Sequence, residues 1–267
     1  MAILNITPDS FSDGGNYIDP QKAVQKALEL ETSGADILDL GAESTRPGAD
    51  EISEEEELNR LVPILEQVLS KTNIPISIDT TKAGVASVCL KKGAHIINDV
   101  SGLQVSGIRM AQTVNDYGAG LILMHRRGTA KTMQRFTEYQ NVVDDVFAEL
   151  QGILKKADEF GLSSDHIVLD PGFGFSKTSE QNVELLAHLE KFNSLGRPIL
   201  AGVSRKTFLG NLAGKSVHER DWATAAAVAV AVQKGAGIVR VHEPLLMRDV
   251  VRVAEALRGS GACAPVQ

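Results

Sequence analysis

Three polar side chains stand where short apolar runs of this sequence end. Asp79, Asn98 and Asp170 each follow such a run. Their carboxylate and amide oxygens are hydrogen-bond acceptors, which suit a flat heterocycle rich in N–H donors. Helix capping would account for Asp and Asn at such positions, but not for Lys206 at the end of another run. The pattern therefore favours a ring-binding site.

A second group of residues predicts an anion. Arg240 and His242 lie at the last apolar run, and Arg46 lies in the loop after the second. Cations and backbone N–H groups at a helix start suit phosphate. Mg²⁺ needs one or two protein oxygens besides phosphate and water, and Asn5 could supply one of them. We expect a ligand with a ring at one end and a phosphate at the other.

Other chemistries fit the sequence less well. Ser204 does not lie in a G-x-S-x-G nucleophile elbow, because the sequence there reads Gly202-Val203-Ser204-Arg205. A mechanism in which Lys206 forms a Schiff base, as in aldolase-like barrels, stays open. The six histidines form no H-E-x-x-H motif and no His/Cys cluster, so zinc is not expected.

The elements that must position these residues alternate along the chain. Short apolar runs typical of strands in a parallel sheet lie at 2–6, 37–40, 76–78, 96–97, 121–124, 167–169, 199–201 and 238–241. Helical patterns cover 20–33, 53–70, 82–92, 106–117, 139–160, 181–192, 219–234 and 245–257. A Ser-x-x-Glu capping box at Ser53 and Glu56 begins the second helix.

Eight strand–helix units predict an α/β protein of one domain, a (β/α)₈ TIM barrel over residues 1–258. An open doubly wound sheet is the alternative, but the Gly-rich nucleotide loop expected there is absent from the sequence. All strand ends of a barrel meet at one mouth. The loops 9–15 and 45–49 are either ordinary connections or lids over that mouth, and residues 259–267 are expected to form a flexible tail.

Composition excludes several classes of function. A net charge of −7, with one Trp, three Tyr and eight Phe, does not favour nucleic-acid binding. Two cysteines make no disulfide framework and fit a reducing compartment. No apolar run approaches the ~18 residues of a membrane helix, and the apolar start is short for a signal peptide. We expect a cytoplasmic protein that binds small molecules, not nucleic acid or membrane.

Eight motifs make the sequence resemble the bacterial dihydropteroate synthases from residue 2 to about 258. They are LNITPDSFSDGG (4–15), DLGAESTRPGA (39–49), SIDTTK (77–82), IINDVSG (96–102), LMHRRGTAKTMQ (123–134), LDPGFGFSK (169–177), GVSRKTFLG (202–210) and VRVHE (239–243). The resemblance implies a homodimeric (β/α)₈ transferase of folate biosynthesis. It would join 6-hydroxymethyl-7,8-dihydropterin diphosphate to p-aminobenzoate and release 7,8-dihydropteroate and diphosphate. Sulfonamides compete with p-aminobenzoate in this family.

The same resemblance implies a role for each site residue. The pterin would be bound by Asp79, Asn98, Asp170 and Lys206, and catalysis would involve Asp79, Asp170 and Lys206. The diphosphate would be bound by Asn5, Arg46, Arg240 and His242, with Asn5 also holding Mg²⁺. The p-aminobenzoate would be bound by Thr45, Pro47, Phe173, Ser204 and Lys206.

Two other functions stay open at this point. A methyltetrahydrofolate–corrinoid methyltransferase-like barrel would also bind a pterin, but it needs no diphosphate site. A catalytically inactive pterin-binding protein would bind its ligand without turnover. The apolar stretch 223–232 packs either on the barrel or on a partner chain.

Overall fold

The structure is a computed structural model and describes residues 1–7 and 19–260. The strands are β1 (Ala2–Asn5), β2 (Leu38–Gly41), β3 (Ile76–Asp79), β4 (Ile96–Asp99), β5 (Gly120–Met124), β6 (Ile167–Asp170), β7 (Leu200–Ala201) and β8 (Ile238–Val239). The α-helices are α1 (Pro20–Thr32), α2 (Glu54–Leu69), α3 (Ala83–Lys92), α4 (Ile108–Tyr117), α5 (Val142–Glu159), α6 (Ser179–Ala187), α7 (Thr207–Ala213), α8 (Asp221–Gln233) and α9 (Pro244–Gly259).

These strands close into a parallel barrel. β1 to β6 pair in sequence order, and β7 pairs with β8. Single parallel bridges join the two parts, from Leu169 to Ile199 on one side and from Ala2 to Val241 on the other. The Ile3 N–H also donates to the Val241 carbonyl at 2.9 Å. The predicted (β/α)₈ barrel of one domain is confirmed, and the open sheet is excluded because the β8 segment returns to β1.

Most strands reach beyond the apolar runs that predicted them. β3 and β6 end at Asp79 and Asp170, and β4 includes both Asn98 and Asp99. The polar residues belong to the strands because ladder pairing uses the backbone, and Asp79 pairs with Asn98 in register. β7 and β8 are shorter than predicted, because each meets its outer neighbour through one bridge. Asp79, Asn98 and Asp170 therefore stand on the sheet itself, not on the loops beyond it.

Helix boundaries mostly agree with the prediction within about three residues. The exception is α6, which ends at Ala187 and is followed by a 3₁₀ helix over Leu189–Leu195. The short helix α7 was not predicted. The predicted capping box of α2 forms on one side, because the Ser53 hydroxyl accepts the Glu56 N–H at 3.1 Å while the Glu56 carboxylate pairs with Arg60.

Two apolar clusters hold the barrel together. The larger one lies between the outward faces of the strands and the surrounding helices. A smaller one centres on Ile122 and Leu200, with Ile96, Val168 and Ile238 packed against it. Because its members come from strands or the residues just before them, this cluster fills the barrel interior below the mouth.

The last two long helices leave apolar side chains in solvent. The large exposed apolar residues are Trp222 and Val230 on α8, and Leu245, Leu246, Val253 and Leu257 on α9. The opposite face of α8 is buried against the barrel. The stretch 223–232 is therefore partly core, and no residue within 1–7 or 19–260 covers its outer face.

Two predicted mobile segments fall mostly outside the described residues. The loop 9–15 lies outside them entirely. Of the predicted tail 259–267, Gly259 completes α9 and Ser260 caps it, and the rest lies outside. In the part of the chain that the structure covers, no helix is long and apolar enough to cross a membrane.

Candidate active site

The mouth of the barrel brings carboxylates from β2 and β3 into contact with Arg240, and an amide from β4 into contact with one of them. Arg240 Nη2 donates to Asp79 Oδ2 at 3.0 Å, and its Nε donates to Asp39 Oδ2 at 2.6 Å. The Asn98 amide donates to the same Asp39 oxygen at 3.2 Å. The carboxylates are buried, whereas the Arg240 side chain keeps 20% of its exposure. A guanidinium held on two sides therefore still reaches the open mouth.

Asp39 is a site residue to which the sequence analysis assigned no role. It is fully buried, although it lies between Leu38 and Leu40. Those leucines face the helices, so a two-residue period places Asp39 inside the barrel. Among the described residues, Asp39 Oδ1 and Asn98 Oδ1 have no hydrogen-bond partner. An acid inside an apolar strand run was the available signal, and these two oxygens can accept N–H groups of a ligand.

Burial raises the pKa values of two carboxyl groups at the mouth. It raises the pKa of Asp79 to about 7, against the opposing charge of Arg240 and with added repulsion from Asp39. It also raises the pKa of Asp170, opposed by a hydrogen bond from the Gly172 N–H and by the charge of Lys206. Both groups favour a ligand that donates hydrogen bonds, because such bonds stabilise the ionised form.

Lys206 lies beside Asp170 at the start of α7. Its Nζ is 4.3 Å from the centroid of the Phe175 ring. Burial lowers the pKa of Lys206 to about 8, with the charge of Asp170 acting in the opposite direction. A Cβ on Gly174 would come within 2.9 Å of Lys206 Cδ, so the loop after β6 packs closely on this side chain.

The two phenylalanines of that loop face different surroundings. Phe173 is 1% exposed and stacks against Phe208, with 6.4 Å between ring centroids. Phe175 instead faces Lys206. Phe173, which the resemblance assigned to the p-aminobenzoate pocket, thus lies in the core beneath the mouth, and Phe175 is the ring beside the lysine.

The predicted anion end contains a neutral histidine. Burial, aided by the charges of Arg205 and Arg240, lowers the pKa of His242 to about 3. The Ser204 hydroxyl accepts the His242 backbone N–H at 3.2 Å and lies 2.9 Å from His242 Nδ1. Its own proton is thus available to Nδ1, which leaves Nε2–H as the donor towards a ligand. At neutral pH the imidazole would bind an anion through one N–H, not as a cation.

The loop after β2 extends from the mouth towards the loop after β5. Thr45 is half-buried, whereas Arg46 and Pro47 are exposed. The Gly48 N–H donates to the Ala130 carbonyl at 2.9 Å. The charge of Arg46 is close enough to contribute to the lowered pKa of His242. The predicted anion-binding residues from this loop and from the β8 segment therefore share one side of the mouth.

Two further arginines differ in what they contact. Arg205 adopts a left-handed φ of 56° and pairs with two carboxylates, Asp221 at 2.8 Å and Glu243 at 2.9 Å. Arg126 is 8% exposed, and its Nε has no hydrogen-bond partner in the described part of the chain. Its position two residues after the end of the buried strand β5 was a signal that the sequence analysis did not use.

The described residues hold no group of three or more His, Cys, Asp and Glu side chains that could bind a metal ion. Asn5 ends β1 beside Gly41 and is half-buried. One amide oxygen fits Mg²⁺ only where phosphate oxygens and water complete the shell. The residues that the structure describes therefore fit a metal that arrives with a diphosphate.

Comparison with known proteins agrees with this geometry. Residues 1–242 match the pterin-binding enzyme family. A dihydropteroate synthase of Synechocystis is 42% identical over 258 residues, which cover 96% of this chain and 89% of that protein. The structure of a Xanthomonas albilineans dihydropteroate synthase with 4-aminobenzoic acid superposes with a TM-score of 0.89 at 39% identity, covering 99% of this chain and 93% of that one. A structure of the Xanthomonas albilineans dihydropteroate synthase with 7,8-dihydropteroate superposes with a TM-score of 0.85 at 36% identity, covering 99% of this chain and 94% of that one.

The chain therefore belongs to the pterin-binding enzymes, a family whose fold and site both match what is described above. Within that family it groups with the dihydropteroate synthases, which are transferases of folate biosynthesis.

Proposed function

We propose that this enzyme condenses 6-hydroxymethyl-7,8-dihydropterin diphosphate with p-aminobenzoate to give 7,8-dihydropteroate and diphosphate. The observation that carries the proposal is the buried cluster of Asp39, Asp79 and Asn98 around Arg240 at the barrel mouth. It supplies acceptors for a donor-rich ring beside a cation. The ligands named for the Xanthomonas albilineans relative, 4-aminobenzoic acid and 7,8-dihydropteroate, are a substrate and the product of this reaction.

The pterin ring is bound by carboxylate and amide oxygens that accept its N–H groups, and Lys206 lies beside them as a donor. Asp79, Asn98 and Asp170 take N–H donors of the ring, and Asn98 Oδ1 begins without a partner among the described residues. Ring N–H groups would stabilise the ionised forms of the two aspartates and lower their raised pKa values on binding. Lys206 supplies a donor from the side of the β6 loop.

The diphosphate lies at the opposite end, with Asn5, Arg46, Arg240 and His242 as its contacts. His242 contributes Nε2–H as a neutral donor, and Arg240 contributes the N–H groups that Asp39 and Asp79 leave unused. Arg46 comes from the exposed loop after β2. Mg²⁺ on the diphosphate, held by Asn5 and water, supplies charge neutralisation that makes diphosphate a better leaving group.

The reaction requires little covalent help from the protein. The bond between the methylene carbon and the diphosphate oxygen breaks, and its electron pair leaves with diphosphate. The positive charge on the methylene group spreads into the ring, where Asp79 and Asp170 face it. The neutral aryl amine then forms the C–N bond and releases one proton. Positioning of amine and carbon supplies much of the rate.

The p-aminobenzoate lies above the ring, between the β2 loop and the loop after β7. Thr45, Pro47, Ser204 and Lys206 border this space, and Phe173 supports it from the core. Closure of the β2 loop, anchored by the Gly48 hydrogen bond, would exclude water from the reacting carbon.

We further propose that the enzyme is a cytoplasmic homodimer. Both α8 and α9 expose apolar residues, and the two helices pack against each other. On α9, Leu246, Val253 and Leu257 recur at helical spacing on one side. Exposed apolar stripes of this kind mark protein–protein contacts, and the same face of a second copy would cover them by two-fold symmetry.

A diphosphate-release assay tests the activity. We expect release when dihydropterin diphosphate, Mg²⁺ and p-aminobenzoate are all supplied, and restoration of release when an omitted component is returned. Tight pterin binding without release would instead indicate an inactive pterin-binding protein. Methyl transfer from methyltetrahydrofolate to a corrinoid, without diphosphate turnover, would indicate the methyltransferase.

A further inference from the structure

A continuous chain of hydrogen bonds connects the surface of α5 to Asp170. Glu149 Oε2 lies 2.9 Å from His125 Nε2, and His125 Nδ1 lies 3.0 Å from Lys177 Nζ. Lys177 Nζ donates to the Gly172 carbonyl at 3.0 Å. The Gly172 N–H in turn donates to Asp170 Oδ1 at 2.7 Å. His125, Lys177 and Glu149 have no role in the proposed reaction as set out above.

The protonation states along this chain follow from burial and from the neighbouring charges. Burial lowers the pKa of Lys177 to about 7, with the charges of Asp170 and Glu149 opposing it, so the ammonium form of Lys177 predominates below pH 7. Burial and the charge of Lys177 lower the pKa of His125 to about 4, so its imidazole is neutral at pH 7. Burial opposes ionisation of Glu149, but hydrogen bonds from His125 and Arg127 outweigh it and lower the pKa of Glu149 to about 2. The single imidazole proton therefore sits on Nε2 facing the carboxylate. The Nδ1 lone pair accepts from the Lys177 ammonium.

Lys177 holds the loop after β6 through hydrogen bonds to two of its carbonyl groups. Its side chain is buried, and besides His125 and Gly172 its Nζ donates to the Phe175 carbonyl at 3.1 Å. An ammonium has three donors, so all of them are used. Loss of any acceptor would leave a buried donor without a partner, which is strongly unfavourable.

Gly172 is the residue through which this network reaches the site. Its φ is 74°, and a Cβ there would overlap the His125 carbonyl oxygen. The Gly172 N–H and C=O belong to two consecutive peptide planes that meet at its Cα, which lies close against the His125 carbonyl. Lys177 holds the second plane through its carbonyl, and this limits the backbone rotation at Gly172 that would turn the N–H of the first plane away from Asp170. The other oxygen of Asp170, Oδ2, lies 3.7 Å from where a Cβ on Gly202 would stand, on the side of the mouth.

We propose that Lys177 and His125 are positioning residues that orient the Asp170 carboxylate by fixing the backbone of Gly172. Glu149 supports this role by accepting from His125 Nε2, which fixes the tautomer of His125 with its proton on Nε2. The inference rests on the proposed function, in which Asp170 binds the pterin ring. A purely structural role for Lys177 is the alternative, and it would affect stability without acting specifically through Asp170.

A double-mutant cycle separates the two roles. The affinity for 6-hydroxymethyl-7,8-dihydropterin is measured for wild type, Lys177→Met, Asp170→Asn and the double variant, with thermal unfolding of each. We expect Lys177→Met to weaken binding about tenfold when Asp170 is present and less than about twofold when Asn is present. Equal losses in the two backgrounds would overturn the proposal. Lys155→Met, on the exposed face of the same helix as Glu149, is the matched control and should change nothing.

Should Lys177→Met fail to fold, Glu149→Gln tests the same chain from its half-exposed end. We expect about a threefold loss of pterin affinity with Asp170 present and none with Asp170→Asn. No loss in either background would overturn the positioning role. If the wild-type protein itself lacked affinity for the pterin, the proposed function would fall and this inference with it. Wild-type binding with an additive cycle would overturn the positioning role alone.

Discussion

Arg240 donates a hydrogen bond to Asp79 at 3.0 Å, although 161 positions separate the two residues in the chain. The same guanidinium also donates to Asp39 at 2.6 Å. Barrel closure makes both contacts possible, because the β8 segment lies beside β1 and the interior side chains converge at the mouth. The cation predicted to bind an anion is therefore also the counter-charge of the ring pocket.

Replacing Arg240 with Ala should weaken both folding and binding. Asp39 and Asp79 would lose their counter-charge while remaining buried, so we expect the free energy of unfolding to fall by about 3 kcal/mol. Affinity for dihydropterin diphosphate should weaken by about 1.5–3 kcal/mol. Urea unfolding and calorimetric titration measure the two effects. Arg252→Ala, on the exposed side of α9, is the control, and an unchanged affinity in Arg240→Ala would remove Arg240 from the site.

Asp170→Asn should weaken binding of the ring itself. The Asn carbonyl oxygen can still accept the Gly172 N–H, so the loop is retained while the ionisable acceptor is lost. We expect affinity for the pterin without diphosphate to fall by about 1–2 kcal/mol. Equilibrium binding of 6-hydroxymethyl-7,8-dihydropterin measures it, with the exposed Asp165→Asn as the matched control. Equal affinities of Asp170→Asn and wild type would exclude a contact between Asp170 and the ring.

His242 should remain neutral throughout the pH range of the assay. Because burial lowers the pKa of His242 to about 3, its ring resonances should not titrate between pH 5.5 and 8 in an NMR experiment. An inflection near pH 6.5 would show instead that the imidazole becomes a cation. The same sample in urea gives the reference titration of the unfolded chain.

The lowered pKa of His242 also predicts how stability depends on pH. The unfolded histidine binds a proton below about 6.5, whereas the folded one resists it until about 3. Stability from this group is therefore present above pH 6.5 and is lost as pH falls towards 3, by up to about 1.4 kcal/mol per pH unit. His242→Gln should remove that part of the acid destabilisation, which unfolding measured at several pH values would detect.

A charge on the exposed face of α9 should separate the proposed dimer. Val253 is 62% exposed, so Val253→Glu costs the single chain little stability. Within a dimer interface the same carboxylate would be buried without a partner. Light scattering should give twice the mass of one chain for wild type and the mass of one chain for the variant. Val183→Glu, exposed on α6, should keep the wild-type mass; a monomeric wild type would contradict the proposal.

Much of the fold could be predicted because its signals are local. Parallel strands buried on both faces read as short apolar runs, and eight of them alternating with helices indicate a closed barrel. Boundaries were less predictable. Asp79 and Asp170 belong to their strands because ladder pairing depends on the neighbouring backbone and not on side-chain polarity. The helix predicted at 181–192 ends at Ala187, where a 3₁₀ helix takes over.

The side-chain contacts of the site were harder to predict, because they depend on segments far apart in sequence. The sequence does not show that Arg205 pairs with Asp221 and Glu243, which are 16 and 38 positions away. Phe173 packs against Phe208 in the core, while Phe175 stands beside Lys206. In each case the residue type was readable from the sequence, and the direction of the side chain was set by packing.

By itself, the sequence determined the barrel, the strand ends that meet at its mouth and the kinds of group gathered there. Residue type and hydrophobic period carry that information along a single segment. The tertiary structure alone decided that Asp39 joins Asp79 around Arg240, that His242 is buried in its neutral form, and that Lys177 connects His125 to the peptide beside Asp170. These are relations between distant segments, and both burial and charge balance exist only once the chain has closed on itself.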